Sequence, residues 1–187
     1  MKLKQKIRKN IISLGAWVQS GSEDVAEVLA NFNKIDWVCI DAEHGNPNCR
    51  NSYSSLFKSI KLGGASPFIR SYSLESNEIK HYLDAGAEGI ILPNVKKSKD
   101  LEVLFNNLSL PPKGSRGVGF YRANNYGLNF NNYFVKAKEN TYVAMIENIV
   151  AINNLEEILK IKMIDAIFIG PYDLSASMGI PGDFKNK

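Results

Sequence analysis

Six polar side chains that could do chemistry each stand at or just after the end of a short apolar run. They are Asp41, Glu43, His44, Arg70, Glu147 and Asp173. If the apolar runs are strands of a parallel sheet, these side chains gather at one edge, because the carboxyl ends of parallel strands lie together. The pattern therefore predicts one catalytic site.

The carboxylates of Glu147 and Asp173 follow neighbouring apolar runs, 142–146 and 166–169. Side by side, two such charges repel each other unless a cation or a proton lies between them. Carboxylates that leave coordination positions open suit Mg²⁺ or Mn²⁺, with Co²⁺ as a further candidate. We therefore predict a divalent metal site at this pair. The alternative is that the two acids only cap the helices that follow.

Three further residues are candidates for catalysis. His44 directly follows Glu43 and could act as a general base whose tautomer a nearby acid fixes. Arg70 ends a strand, where its guanidinium could meet either a substrate carboxylate or a structural acid. Asp84 stands at the C-terminal end of a predicted helix, where the helix dipole disfavours an acid. We therefore expect Asp84 to have a partner, and His44 is a candidate.

The elements that position these residues alternate between strand and helix. The apolar runs predict strands at 11–18, 37–40, 67–70, 89–93, 142–146 and 166–169, and helices are predicted at 22–32, 53–62, 75–85, 98–107 and 155–161. This alternation indicates a parallel sheet covered by helices, either doubly wound or a TIM (β/α)8 barrel. The strand-end chemistry favours the barrel. No glycine-rich phosphate loop follows the first strand, so a dinucleotide-binding fold is disfavoured.

Composition excludes several other classes of protein. Hydrophobic residues make up 44% and charged residues 22%, as in ordinary globular domains. Basic residues are not interleaved with aromatics, so we expect no nucleic-acid partner, and no apolar run is long enough for a membrane span. Two cysteines without metal or redox spacing indicate a reduced, cytoplasmic protein. The basic start predicts a solvated first helix; its cations are Lys2, Lys4, Lys6, Arg8 and Lys9.

Segments throughout the chain resemble the HpcH/HpaI family of class II 2-oxo-acid aldolases, which belongs to the phosphoenolpyruvate/pyruvate barrel superfamily. The resembling stretches are 37–45, 67–70, 83–93, 116–124 and 167–179. The motifs Asp-Ala-Glu-His-Gly at 41–45 and Gly-Pro-Tyr-Asp-Leu-Ser at 170–175 are the most specific. The resemblance implies reversible cleavage of a 4-hydroxy-2-oxo acid into pyruvate and an aldehyde, by way of a pyruvate enolate.

The resemblance also implies residue roles. Glu147 and Asp173 would hold the divalent metal, and Arg70 would stabilise the enolate oxygen. His44, oriented by Asp84, would handle the proton. Backbone N–H groups around Gly170, Tyr172 and Asp173 would hold the substrate carboxylate, and Asp41 and Glu43 would support the site.

The sequence departs from the family in two ways. Met145 stands two residues before Glu147, where such enzymes often have Gln; residues i and i+2 of a strand share a face, so Met145 should lie beside the site. Only six βα units are present, so we predict a single catalytic domain over 1–187 that is C-terminally incomplete. Six strands cannot close a barrel, and the open edges predict a fragment or a homo-oligomer, with a hexamer as one candidate. Alternative functions are a citrate-lyase-like acyl-CoA lyase and a truncated, inactive scaffold.

Overall fold

The computed structural model describes residues 3–185, so Lys2 lies outside the described part of the chain. Six parallel strands form one sheet in the order of the sequence. They are β1 Leu14–Val18, β2 Ile35–Asp41, β3 Ser66–Arg70, β4 Gly89–Leu92, β5 Thr141–Ile146 and β6 Ala166–Ile169. A doubly wound sheet would reverse its strand order part-way across. The sequential order confirms the predicted (β/α) barrel, of which this chain forms the first six units.

Helices connect the strands and cover the outer face of the sheet. They are α1 Leu3–Arg8, α2 Glu23–Asn31, α3 Pro47–Asn51, α4 Tyr53–Leu62, α5 Ser76–Ala85, α6 Ser98–Leu108, α7 Phe130–Lys136, α8 Ile149–Asn153, α9 Leu155–Leu159 and α10 Pro171–Ser177. The Ser22 side chain accepts a hydrogen bond from Val25 N and begins α2 as the sequence predicts. The stretch 111–140 contains α7 and two short 3₁₀ turns.

Alternate side chains of the strands point to opposite faces and build two apolar layers. The outward-facing residues pack with the helices in one large core. The inward-facing residues form a smaller cluster of Cys39, Phe68, Ile91 and Met145. The rings of Trp17 in β1 and Phe168 in β6 lie 5.8 Å apart, so the sheet curls until its two outermost strands face each other. The predicted site residues continue the inner rows two positions further: Asp41 after Cys39, Arg70 after Phe68 and Glu147 after Met145.

Helix α1 forms ion pairs with the N-terminal end of this curved sheet. Lys6 Nζ lies 2.8 and 2.7 Å from the two carboxylate oxygens of Asp36, near the start of β2. Lys4 Nζ lies 2.9 Å and Arg8 Nε 2.6 Å from the carboxylate of Asp165, just before β6. The Asp165 side chain is fully buried. The basic start is therefore more than the solvated helix that its charges predict, because its cations join the second strand to the last.

The outermost strands each pair on one side only. In β6, Ile167, Phe168 and Ile169 remain between 38 and 57% exposed, far more than residues of the central strands. Across residues 3–185, no helix is both long and apolar enough to cross a membrane.

Candidate active site

Asp41, at the end of β2, is the hub of the hydrogen bonds at the C-terminal mouth of the barrel. Its buried carboxylate accepts from Arg70 Nε at 2.9 Å and Nη2 at 2.6 Å, and from Gln19 Nε2 at 2.7 Å. It also accepts from the backbone N–H groups of Glu43 and His44, at 3.2 and 3.0 Å. Burial by itself would raise the pKa of Asp41, but these bonds outweigh it and lower the pKa below its ordinary value. Asp41 therefore stays ionised and shapes the loop that carries His44.

Arg70, at the end of β3, is a fixed cation facing the mouth. Asp41 holds one edge of its guanidinium, which also lies 5.1 Å from the centre of the Trp17 ring. The remaining edge, Nη1, lies 3.4 Å from Glu43 Oε2. Burial lowers the pKa of Arg70, yet the hydrogen bonds that it donates to the Asp41 carboxylate more than compensate and raise it. A cation immobilised in this way can stabilise negative charge without reorganising.

Two carboxylates at the mouth have fewer partners than a buried acid needs. Glu43 Oε2 is buried, and although Arg70 Nη1 lies within ion-pair range, no hydrogen bond reaches this oxygen from residues 3–185. Burial raises the pKa of Glu43, and the neighbouring charge of Glu147 adds to the effect. Glu147 is 7% exposed, and its Oε1 accepts from the backbone N–H of Asn94. Such underpaired acids are typical of ligand sites.

The donor set at the mouth fits a divalent cation. Gly170 has no side chain, and a Cβ there would lie only 2.9 Å from Glu147 Oε2, so the glycine keeps the space beside that oxygen open. Asp173 is exposed in the first turn of α10. Within residues 3–185, no group of three or more His, Cys, Asp or Glu side chains is arranged to hold a metal. One or two carboxylates completed by water and substrate oxygens is the arrangement that Mg²⁺ accepts. The assignment of Glu147 and Asp173 as ligands stays a prediction.

His44 lies on the mouth loop with its side chain 61% exposed, and its Nε2 is 3.9 Å from Glu43 Oε2. The pairing of His44 with Asp84 is not found in this chain. Asp84 accepts instead from Arg116 Nη2, and from the Tyr133 hydroxyl at 3.3 Å. Helices of a barrel run antiparallel to its strands, so the C-terminal end of α5 places Asp84 at the opposite end from His44. Within one copy of the chain, the cation that meets Asp84 is therefore Arg116, and a catalytic role of Asp84 stays a prediction.

The C-terminal part of the site is formed by Gly170, Tyr172 and Met145. Gly170 N donates to Ile146 O at 3.2 Å, which continues the pairing of β5 with β6 up to the mouth. Tyr172 is 71% exposed, with its ring 5.0 Å from that of Phe184. Met145 is buried beneath Glu147, and its Cε lies 3.5 Å from the place a Gly170 Cβ would take. The floor of the mouth is therefore apolar.

Sequence reasoning missed Gln19 and Asn94. Gln19 follows β1 and donates to Asp41, and Asn94 follows β4 and donates its backbone N–H to Glu147. The Asn94 side chain in turn accepts from Asn148 Nδ2 at 3.2 Å. Both missed residues stand just beyond strand ends, so the same positional rule that identified the other candidates could have found them.

A comparison with protein families decides the relationship of this chain. The sequence model of the HpcH/HpaI aldolase/citrate lyase family matches residues 13–186. The chain belongs to this family.

Relatives within the HpcH/HpaI family are named as aldolases. A 2-keto-3-deoxy-L-rhamnonate aldolase of Escherichia coli O17:K52:H18 is 33% identical over 181 residues, covering 95% of this chain and 67% of the relative. The protein of that name from Salmonella paratyphi B is 35% identical over the same shares. A crystal structure of an HpcH/HpaI aldolase/citrate lyase family protein from Burkholderia cenocepacia J2315 superposes with a TM-score of 0.86 at 31% identity, covering 97% of this chain and 73% of that protein.

These matches confirm the predicted family and the class of enzyme. This chain is similar to named aldolases over nearly its whole length, which makes it a carbon–carbon lyase. The chain spans 67% of the length of those curated relatives. Its substrate is a small molecule, in keeping with the aldolases that it resembles.

Proposed function

We propose that this chain catalyses the reversible aldol cleavage of a 4-hydroxy-2-oxo acid into pyruvate and an aldehyde. One observation carries the proposal. The Arg70 guanidinium is fixed by Asp41, with its remaining edge directed at a mouth that holds the underpaired acids Glu43 and Glu147. A fixed cation beside acids with few hydrogen-bond partners suits a reaction in which negative charge develops on an oxygen near a bound cation.

We assign the divalent metal to Glu147 and Asp173, with Mg²⁺ or Mn²⁺ as the native ion and Co²⁺ as a further candidate. When bound, the metal supplies Lewis-acid polarisation of the substrate oxygens. Support comes from the hard oxygen donors, from the space that Gly170 leaves beside Glu147, and from the family.

The residues of the chain supply the remaining chemistry. In the cleavage direction, His44, or a water that it holds, takes the proton of the C4 hydroxyl, and the C3–C4 bond breaks to release the aldehyde. The electron pair of that bond forms the enolate of pyruvate, whose C2 oxygen Arg70 stabilises. A proton delivered to C3 then gives pyruvate. In this proposal the backbone N–H groups at 170–173 hold the carboxylate, and Glu43 replaces Asp84 as the acid beside His44.

We further propose a 2-keto-3-deoxy sugar acid as the class of substrate. The names of the relatives, 2-keto-3-deoxy-L-rhamnonate aldolases, support it. A homo-oligomeric state, with a hexamer as one candidate, stays a prediction of the sequence. So does a cytoplasmic location, for which the two free, buried cysteines are the argument.

Proton exchange of the pyruvate methyl group in deuterated buffer tests the proposal without knowledge of the aldehyde. We expect exchange that depends on added Mn²⁺, followed by proton NMR, and a loss of about 10²–10⁴-fold on His44→Ala, typical of a lost general base. Manganese binding measured by calorimetry should survive that substitution. A chain that binds Mn²⁺ but exchanges no protons is an inactive scaffold. Exchange at the acetyl methyl of acetyl-CoA in place of pyruvate would support the citrate-lyase-like alternative.

A further inference from the structure

Arg50 is a second arginine at the mouth that the mechanism above does not use. It lies in α3, within the loop that follows β2, and therefore at the same end of the barrel as Asp41 and Arg70. Its guanidinium carbon lies 3.9 Å from the centre of the Tyr72 ring. Its Nη2 donates to the backbone carbonyl of Ala42 at 3.2 Å. An aromatic face and a backbone carbonyl together hold this cation in one place.

The hydrogen bonds around Ala42 show where the guanidinium lies. Ala42 N donates to Arg70 O at 3.0 Å, which extends the pairing of β2 with β3 one step beyond Asp41. In a continued parallel ladder, Ala42 O would accept next from the N–H of Tyr72. That N–H instead donates to Glu78 Oε1 at 3.4 Å, and Arg50 takes the carbonyl. The Arg50 guanidinium therefore sits on the rim of the mouth, where β2 and β3 separate.

Arg50 has donors that the protein leaves unused. Its Nε and Nη1 make no hydrogen bond within the described part of the chain, and no carboxylate there lies within ion-pair range. The nearby acid Glu78 is occupied by the hydroxyls of Ser71 and Ser73, at 2.6 and 2.9 Å. Arg70, by contrast, is committed to Asp41. Arg50 is exposed, so its free donors face solvent, and a guanidinium held in place in this way can bind an anionic group.

We propose that Arg50 binds a carboxylate on the aldehyde fragment and so determines specificity, which narrows the substrate to a 2-keto-3-deoxy sugar acid with a second carboxylate at its far end. The inference rests on the proposed aldolase function. With the reacting carbonyl held at Arg70, on the inner face, the far end of the substrate extends out of the barrel toward the rim. The loops after β2 and β3 stand on that rim, and Arg50 joins them through Ala42 and Tyr72.

The test is a comparison of matched aldehydes in the condensation with pyruvate. Glyoxylate and glycolaldehyde form a two-carbon pair, and succinate semialdehyde and butanal a four-carbon pair, with one anionic member in each. Arg50→Gln keeps a donor for Ala42 O but removes the charge. We expect it to lower kcat/KM for the anionic members by about 10- to 100-fold, as for a lost charge-assisted contact, and to leave the neutral ones within about twofold. Arg50→Lys should recover part of the loss, and Lys58→Gln, an exposed cation on α4, should change neither member.

Equal losses for charged and neutral aldehydes would mean that Arg50 only supports the loop, and an unchanged profile would mean that it faces away from the substrate. Either result overturns the assignment. Exchange of the pyruvate methyl protons needs no aldehyde, so it should be normal in Arg50→Gln. Its absence in the unsubstituted chain refutes the aldolase function instead. In that case, calorimetric titration with succinate still tests whether Arg50 binds a carboxylate. Equal succinate affinity in the unsubstituted chain and in Arg50→Gln would refute the site.

Discussion

The acidic side chains at the two ends of the barrel differ in how many partners they have. At the N-terminal end, Asp36, Asp84 and Asp165 each contact a lysine or an arginine at 2.9 Å or less. At the C-terminal mouth, Glu43 Oε2 accepts no hydrogen bond from residues 3–185, and from these residues Glu147 accepts only the backbone N–H of Asn94. Asp41 is the exception at the mouth, because Arg70 and Gln19 satisfy it.

The difference in partners distinguishes acids that stabilise the fold from acids that are available to bind a ligand. A buried carboxylate with too few hydrogen-bond donors costs stability, so its presence indicates a use that folding alone does not explain. The paired acids join distant segments of the chain: Asp165 alone connects α1 to the start of β6. Substitutions at the C-terminal mouth should therefore reduce metal-dependent activity, and substitutions at the N-terminal end should reduce stability.

The largest effect is expected at Glu147. Glu147→Gln keeps an acceptor for Asn94 N but removes the charge, so Mn²⁺-dependent exchange of the pyruvate methyl should fall by about 10³-fold or more, as for the loss of several kcal/mol of metal-derived stabilisation. The melting temperature should stay the same or rise. Calorimetric Mn²⁺ titration and thermal unfolding measure the two quantities. Asp173→Asn should behave alike, and unaltered Mn²⁺ affinity in both variants would refute the assigned ligands.

The opposite outcome is expected at Asp165. Asp165→Asn leaves Lys4 and Arg8 without their buried anion and should lower the free energy of unfolding by about 3 kcal/mol. Urea unfolding measures it, with Mn²⁺ affinity expected to remain normal in the folded protein. Lys160→Ala is the control, because it breaks an exposed pair with Glu157 and should cost less than about 1 kcal/mol. A similar loss of unfolding free energy in the two variants would contradict a stabilising role for the ion pairs of α1.

Met145 tests the apolar floor of the mouth. Met145→Gln places at this position the amide that the family resemblance implies, and the amide should shift the preference among aldehydes or raise turnover. Because Met145 packs with Cys39 and Phe68, the burial of an amide should also lower stability by about 1–2 kcal/mol. Steady-state kinetics over several aldehydes, with unfolding in parallel, separates the effects. A variant with the parental aldehyde profile would show that Met145 has no part in selection.

The smallest effect concerns Glu43 and depends on pH. Its folded-state pKa is raised by burial and by Glu147, so the unfolded chain releases this proton at lower pH than the folded chain does. Stability must then fall as pH rises from the ordinary value of 4.5 through the folded pKa. In metal-free protein, Glu43→Gln should remove that fall and be the more stable form at neutral pH. Unfolding curves at pH 4 and pH 7 check this, and a variant that is less stable at pH 7 would contradict it.

Much of the candidate site follows from the sequence because it depends on local order along the chain. Strand ends are marked by the change from apolar to polar residues, and an i, i+2 step keeps a side chain on one face. These two rules place Asp41, Arg70 and Glu147 on the inner face of the mouth without any knowledge of how the sheet curves. The motifs at 41–45 and 170–175 also indicate the family before any fold is known.

Partners between distant segments were decided by the tertiary structure alone. Arg116 and Tyr133, the partners of Asp84, lie 32 and 49 positions from it in the sequence, and Lys4 lies 161 positions from Asp165. Periodicity states which face of an element a residue occupies, but not which end of the barrel another segment reaches. His44 and Asp84 do not meet within one copy of the chain for this reason, since the end of a helix and the end of a strand lie at opposite rims. The sequence did not indicate Arg50 either. Its position on the rim depends on its hydrogen bond to Ala42 O, a carbonyl that no longer pairs with β3 once the two strands separate.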